Sequence, residues 1–154
     1  MASHSEPIPG FADLFPAECQ EWRTVEEAAR QVFASYAYGE LRTPILERSE
    51  VFLHSLGNET DVVQKEMYAF EDRGGRHLAL RPEGTAGVMR ALANLGVVDG
   101  EEHRVYYLGP MFRGERPAAG RRRQFHQIGV ECVGRVSPGH DVECLAMLLH
   151  FLDS

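Results

Sequence analysis

The run Arg104-Val105-Tyr106-Tyr107-Leu108-Gly109-Pro110-Met111-Phe112-Arg113-Gly114-Glu115, followed by Arg123-Gln124-Phe125-His126-Gln127-Ile128-Gly129-Val130-Glu131-Cys132-Val133-Gly134, decides the fold. Both segments are rich in strand-forming side chains, and a polar, arginine-rich loop with Pro117 and Gly120 joins them. They read as two long strands paired antiparallel. Side chains alternate across a strand, so Arg123, Phe125, Gln127, Glu131 and Val133 share one face, and Gln124, His126, Ile128, Val130 and Cys132 the other. In the partner strand the odd positions include Arg113 and Glu115, and a loop centred near Ala119 sets Arg113 across from Phe125. One sheet surface is thus expected to hold a cation, two acids, an amide and an aromatic ring.

Working outward, Trp22, Val25, Ala29, Val32, Phe33 and Tyr36 recur at three- and four-residue spacing, which predicts a helix from Pro16 to about Tyr36, stopped by Gly39. Glu40 to Thr43 reads as a short strand ended by Pro44. Met67 to Glu71 and His77 to Arg81 form a hairpin around Asp72-Arg73-Gly74-Gly75-Arg76, and a phosphate loop there is disfavoured because no Lys-Ser or Lys-Thr follows. Arg81-Pro82-Glu83-Gly84-Thr85 is a turn feeding a helix with Val88, Met89, Leu92 and Leu95 on one face, closed by Gly96. A last helix runs from about Asp141, as its cap, to Leu152, with Val142, Leu145, Ala146, Leu149 and Leu152 on one side. Hairpins outnumber crossovers, so the expected class is α+β, an antiparallel sheet flanked by helices. Residues 1–9 read as a flexible tail and 10–154 as one domain.

The chain has 154 residues, 44% of them hydrophobic and 25% charged, the range of an ordinary globular domain. Its longest apolar runs, such as Cys144 to Leu149, fall far short of the ~20 residues a membrane span needs, and no apolar signal core opens the chain. The expected place is the cytoplasm, with no membrane contact. Cys19, Cys132 and Cys144 form no Cys-x-x-Cys pair and are read as reduced thiols, two of them buried. The seven histidines make no ligand spacing with one another or with cysteine, so no metal is expected. The net charge of −7 argues against a uniformly basic surface that grips nucleic acid. Yet Arg113, Arg116, Arg121, Arg122 and Arg123 crowd into eleven residues, a local anion site.

A guanidinium offers a rigid fork to phosphate oxygens, and an aromatic face supports a base. The shared face therefore suits a nucleotide with a small polar molecule: Glu115 can accept a base amino proton, Glu131 and Glu83 can take an ammonium or ring N–H, and Gln127 can donate and accept. By pattern alone the competing reading is a solvated sheet face with scattered ion pairs.

Phe112-Arg113-Gly114-Glu115, followed after a loop by Arg123-Gln124-Phe125-His126-Gln127, resembles motif 2 of the class II aminoacyl-tRNA synthetases. With Arg81-Pro82-Glu83-Gly84-Thr85 upstream and Gly129-Val130-Glu131 downstream, the set is similar to the histidyl-tRNA synthetase family from about Gly10 onward. The first helix, short strand and Pro44 resemble motif 1, the dimer-forming element of the class.

The resemblance implies an ATP-dependent ligase joining L-histidine to tRNA(His), working as a homodimer through the motif 1 region, with Mg2+ carried on the ATP. Arg113 would be the catalytic residue, holding the α-phosphate and a histidine carboxylate oxygen. Glu115 would accept from adenine, Phe125 would stack on it, and Arg121 and Arg123 would face phosphates or the tRNA end. Glu83, Thr85 and Gln127 would gather around the α-amino group and Glu131 would face the imidazole. Arg116 and Arg122 would meet the tRNA acceptor end or solvent, and Thr85 has a second reading as a helix cap. His126, Tyr106 and Tyr107 are read as packing.

Where many family members carry Gln-Lys in the motif 2 loop, this chain has Ala118-Ala119. The family's motif 3, its histidine-pocket loops and its anticodon-binding domain have no counterpart in these residues, so the chain is expected to be the N-terminal half of a catalytic domain, weakly active or inactive alone. The alternative the resemblance leaves is the synthetase-like regulatory subunit of ATP phosphoribosyltransferase, which shares histidine-site residues.

Overall fold

The computed structural model describes residues 6–57, 60–96, 101–134 and 137–154; residues 1–5 of the expected tail lie outside them. In chain order the elements are α1 Pro16–Ser35, β1 Gly39–Glu40, β2 Leu46–Arg48, α2 Ser49–Leu56, a π-helical turn Val62–Glu66, β3 Ala69–Glu71, β4 His77–Leu80, α3 Thr85–Leu95, β5 His103–Phe112, β6 Gln124–Val133 and α4 Pro138–Leu152. The strands form two sheets, ordered β1-β5-β6 and β2-β4-β3. All pairs are antiparallel except β1 with β5, which is parallel, so the expected α+β architecture carries one parallel edge. The sheets meet where the Phe112 amide donates to the Arg81 carbonyl.

The long β5–β6 ladder is packed on both faces, because its strands alternate apolar residues to each side. On the even face Tyr106 joins Ala29, Val32 and Phe33 of α1, Tyr38, and Met147 of α4. On the odd face Tyr107 and Met111 pack on Val88 and Leu92 of α3. A third cluster of Phe52, Ala79 and Ala86 joins α2, β4 and α3.

Several boundaries differ from expectation. Pro16 does open α1, and the Glu18 carboxylate accepts from the Phe15 amide at 3.0 Å. The helix ends at Ser35, within a residue of expectation, but its stop is Ala37 rather than Gly39: Ala37 adopts φ +62°, its amide donates to Ala34 and that of Tyr38 to Phe33, a Schellman closure built on alanine. Val25 and Leu95, expected to be buried, are exposed. Ser137, not Asp141, caps α4, its hydroxyl accepting from the Gly139 amide. The α4 side chains Val142, Leu145, Leu149 and Leu152 point outward, and Met147 is the buried one. None of the three cysteines is fully buried, and all are free thiols. No helix of the described residues is long and apolar enough to cross a membrane.

Candidate functional site

The register sets the site. Met111, not Arg113, lies across from Phe125, and the ladder runs on through Gly109↔Gln127 and Val105↔Glu131. Arg113 is instead beside Arg123, whose carbonyl accepts its amide at 2.9 Å. The correction is a shift of two residues, which preserves side-chain parity. Arg113, Phe125, Gln127 and Glu131 therefore do project from one face, the face α3 covers.

At one end of this face the Arg113 guanidinium carbon sits 5.0 Å from the Phe125 ring centroid. Its Nε donates to the Pro82 carbonyl at 2.9 Å, which ties the guanidinium plane to the turn before α3. Among the described residues nothing takes its two terminal nitrogens, so the fork is presented outward. The Glu115 carboxylate accepts from exposed Arg121 at 3.3 Å, and the Glu115 carbonyl from Arg123 Nε at 3.1 Å. Arg123 is further held by the carbonyl of Pro9, and its amide and that of Gln124 donate to the Gly10 carbonyl, so the chain before α1 braces the loop. Ala118 and Arg121 bridge across the tip at Gly120, whose φ of +75° suits glycine. Arg116 and Arg122 are exposed. Arg122 lines a cavity of about 330 Å³ with Trp22, Gln124, Phe125 and His126.

At the other end, carboxylates surround the start of α3. Glu83 accepts from the amides of Thr85 at 2.6 Å and Ala86 at 2.9 Å, capping the helix from outside. The second reading of Thr85, as a helix cap, does not hold: its hydroxyl donates to Glu131 at 2.7 Å. Burial pushes the Glu131 carboxyl above its usual range, the nearby Glu83 charge adds to this, and the Thr85 hydrogen bond opposes it. Gln127 Oε1 is buried with no hydrogen-bond partner. An unpaired buried acceptor costs about 1–3 kcal/mol, so this face is incomplete without a donor.

Two organisers were not read as such from sequence. Tyr107 packs as expected, but its ring fits only because Gly84 and Gly129 lie on either side: a Cβ would come within 2.2 Å and 2.3 Å of it. Burial raises its hydroxyl pKa, with Thr85, Glu131 and Glu83 acting on it as well. Arg81 is buried, donating to the carbonyls of Pro110 and Thr43 and to the Thr43 hydroxyl. The sequence signal for both was the glycine pattern Gly84, Gly109 and Gly129, since Gly109 leaves room for the Arg81 guanidinium. His126, on the even face, packs on Trp22 with ring centroids 4.5 Å apart.

The fold is that of the class II aminoacyl-tRNA synthetases, seen in part: the chain superposes on apo histidyl-tRNA synthetase of S. aureus with TM-score 0.76 at 36% identity, covering 95% of this chain and 34% of that one. The enzyme from Nostoc sp. PCC 7120 gives 0.78 at 28% identity over 98% of this chain and 34% of that one. A model of the histidyl-tRNA synthetase family matches residues 10–154, and the chain belongs to that family. It is 56% identical to the histidine–tRNA ligase of Pediococcus pentosaceus over 93% of this chain, and 56% identical to that of Oleidesulfovibrio alaskensis over 97%. It spans 34% and 36% of those relatives' lengths. A Bacillus halodurans protein described as an ATP phosphoribosyltransferase regulatory subunit/histidyl-tRNA synthetase shares the fold, with TM-score 0.81 at 22% identity.

Proposed function

We propose that this chain supplies the motif 1 and motif 2 portion of a histidine–tRNA ligase, which activates histidine with MgATP and passes it to tRNA(His). The orphaned Gln127 Oε1 carries the reading. It lies on the face that also presents the Glu131 and Glu83 carboxylates, so the pocket seeks N–H donors and positive charge, which an α-ammonium and an imidazole N–H both supply. Each Glu83 oxygen already holds one amide and keeps a further lone pair for the ammonium. Glu131 selects an imidazole N–H over isosteres, because a side chain without that donor leaves a desolvated carboxylate with the Thr85 hydroxyl as its one partner among the described residues.

Arg113 is the catalytic group. The histidine carboxylate attacks the α-phosphorus in line, pyrophosphate departs with its electron pair and the magnesium, and the terminal nitrogens of Arg113 offset the charge on the shared oxygens. This guanidinium lies over the Phe125 ring. Adenine stacking on Phe125 therefore slides it toward the phosphates, while Glu115 meets the adenine amino group once Arg121 has turned to the phosphates. Arg123 orders the loop, and Arg116 and Arg122 face the tRNA acceptor end. Two copies meet through α1 and β1, and the free thiols suit the cytoplasm.

A regulatory histidine sensor would use Glu83, Thr85, Gln127 and Glu131 alone. The pairing of Arg113 with Phe125 and of Glu115 with Arg121 favours the ligase, since both serve a nucleotide. In the ligase that contains this segment, Arg113→Ala is expected to lose on the order of 10² to 10³ in histidine-dependent ATP–pyrophosphate exchange. Near-normal exchange would remove Arg113 from the mechanism.

A further inference from the structure

Behind the sheet, on the face opposite the pocket, three potential ligands converge from three elements. Glu102 immediately precedes β5, Cys132 is the penultimate residue of β6, and His140 lies in the first turn of α4. One ligand atom from each lies within 4.8 Å of the other two. We propose that Glu102, Cys132 and His140 form a binding site for a borderline divalent cation, zinc foremost.

The donor set decides the ion. A thiolate and an imidazole select zinc-type metals over magnesium or calcium, and a carboxylate completes a neutral or singly charged first layer. Zinc bond lengths place N, O and S ligands roughly 3.3–3.6 Å apart in a tetrahedron. His140 Nε2 and Glu102 Oε2 are already 3.1 Å apart, so closing the site requires a movement of about an ångström around the sulfur. The positions are rigidly given: Cys132 pairs with Arg104 in the ladder, and the His140 amide donates to the carbonyl of the capping residue Ser137.

The surroundings tolerate the added charge. Arg104 bridges Glu102 and Glu143, and it keeps Glu143 at 2.7 Å if the Glu102 carboxylate turns to the ion. The Tyr38 hydroxyl lies 3.7 Å from the Cys144 thiol, and water supplies the fourth ligand. On binding, the Cys132 proton leaves to solvent, and no electron transfer is involved. Sequence spacing pointed away from a metal because these residues are 30 and 8 positions apart and only the fold unites them.

The test uses the 154-residue chain stripped with chelator and titrated with Co2+, then Zn2+. One equivalent of Co2+ should bring a sulfur-to-cobalt charge-transfer band and tetrahedral visible bands, both erased by Zn2+. Cys132→Ser should remove the charge-transfer band. His140→Gln, at a half-buried position in a helix first turn, should weaken binding at least tenfold with the fold unchanged by circular dichroism. Cys19→Ser, far from the cluster, should leave both unaltered. A folded chain that shows no cobalt spectrum, or a spectrum indifferent to both Cys132→Ser and His140→Gln, overturns the site.

Discussion

The two faces of the β5–β6 ladder are built from alternate residues of the same strands, yet they settle their polar groups in opposite ways. On the even face the polar groups are paired: Arg104 holds Glu102 and Glu143, His140 Nε2 lies 3.1 Å from Glu102, and the Tyr38 hydroxyl donates to Glu143. On the odd face two carboxylates stand close together, one raised by burial, beside a glutamine oxygen with no partner and a guanidinium whose terminal nitrogens are free among the described residues. A fold can leave such groups unsettled only where something else settles them. The odd face is the one proposed above to bind substrate, and the even face carries the paired polar groups and the α1–α4 packing.

If the even face is the structural one, its largest single contribution should come from the residue that α4 sinks into it. Met147 is 1% exposed, whereas Leu149, two residues on, is 63% exposed. Met147→Ala should cost about 2–5 kcal/mol in denaturant unfolding. Leu149→Ala should stay within about 0.5 kcal/mol. Equal losses would mean that α4 is rotated from the described face. On the odd face, Gly129→Ala would press a Cβ to 2.3 Å from the Tyr107 ring and should cost about 1–3 kcal/mol. Most of that loss should disappear in a Tyr107→Leu background, since the two residues share one clash. A loss that persists there would assign the glycine's role to the strand itself.

How far the sequence reveals these faces depends on the element. Strand parity was legible because a period of two leaves no third choice, and it survived a register placed two residues off. The register was not legible, because it depends on how Ala118 and Arg121 pinch the loop tip around Gly120. The α4 face was illegible for a different reason: Val142, Cys144, Leu145, Ala146, Met147, Leu148, Leu149, Phe151 and Leu152 make that helix apolar nearly all round, so spacing cannot say which side is buried. β2, α2 and the π-helical turn escaped notice altogether, since a three-residue strand shows no alternation and α2 is barely two turns long. Within the site, the residues of the shared face were legible from alternation and resemblance. The capping by Glu83 was not, because a carboxylate placed just before a helix can serve the cap or a ligand.

The smallest expected effect isolates the even face optically. The chain has one tryptophan, and its ring lies against that of His126 with centroids 4.5 Å apart and planes tilted by 49°. Burial holds the imidazole below its usual value of 6.5, with Arg81 pushing the same way and Glu26 opposing. In the folded chain the neutral form is thus favoured. The corresponding stability is complete above about pH 6.5, the unfolded value. It is lost as the pH falls through the lower folded value. Protonation places a cation against the indole, so Trp22 emission should drop on acidification with a midpoint below 6.5, while the far-ultraviolet dichroism is still native. His126→Gln should abolish the step. A midpoint at or above 6.5, or a step that survives the substitution, would mean that packing against Trp22 does not desolvate the His126 ring.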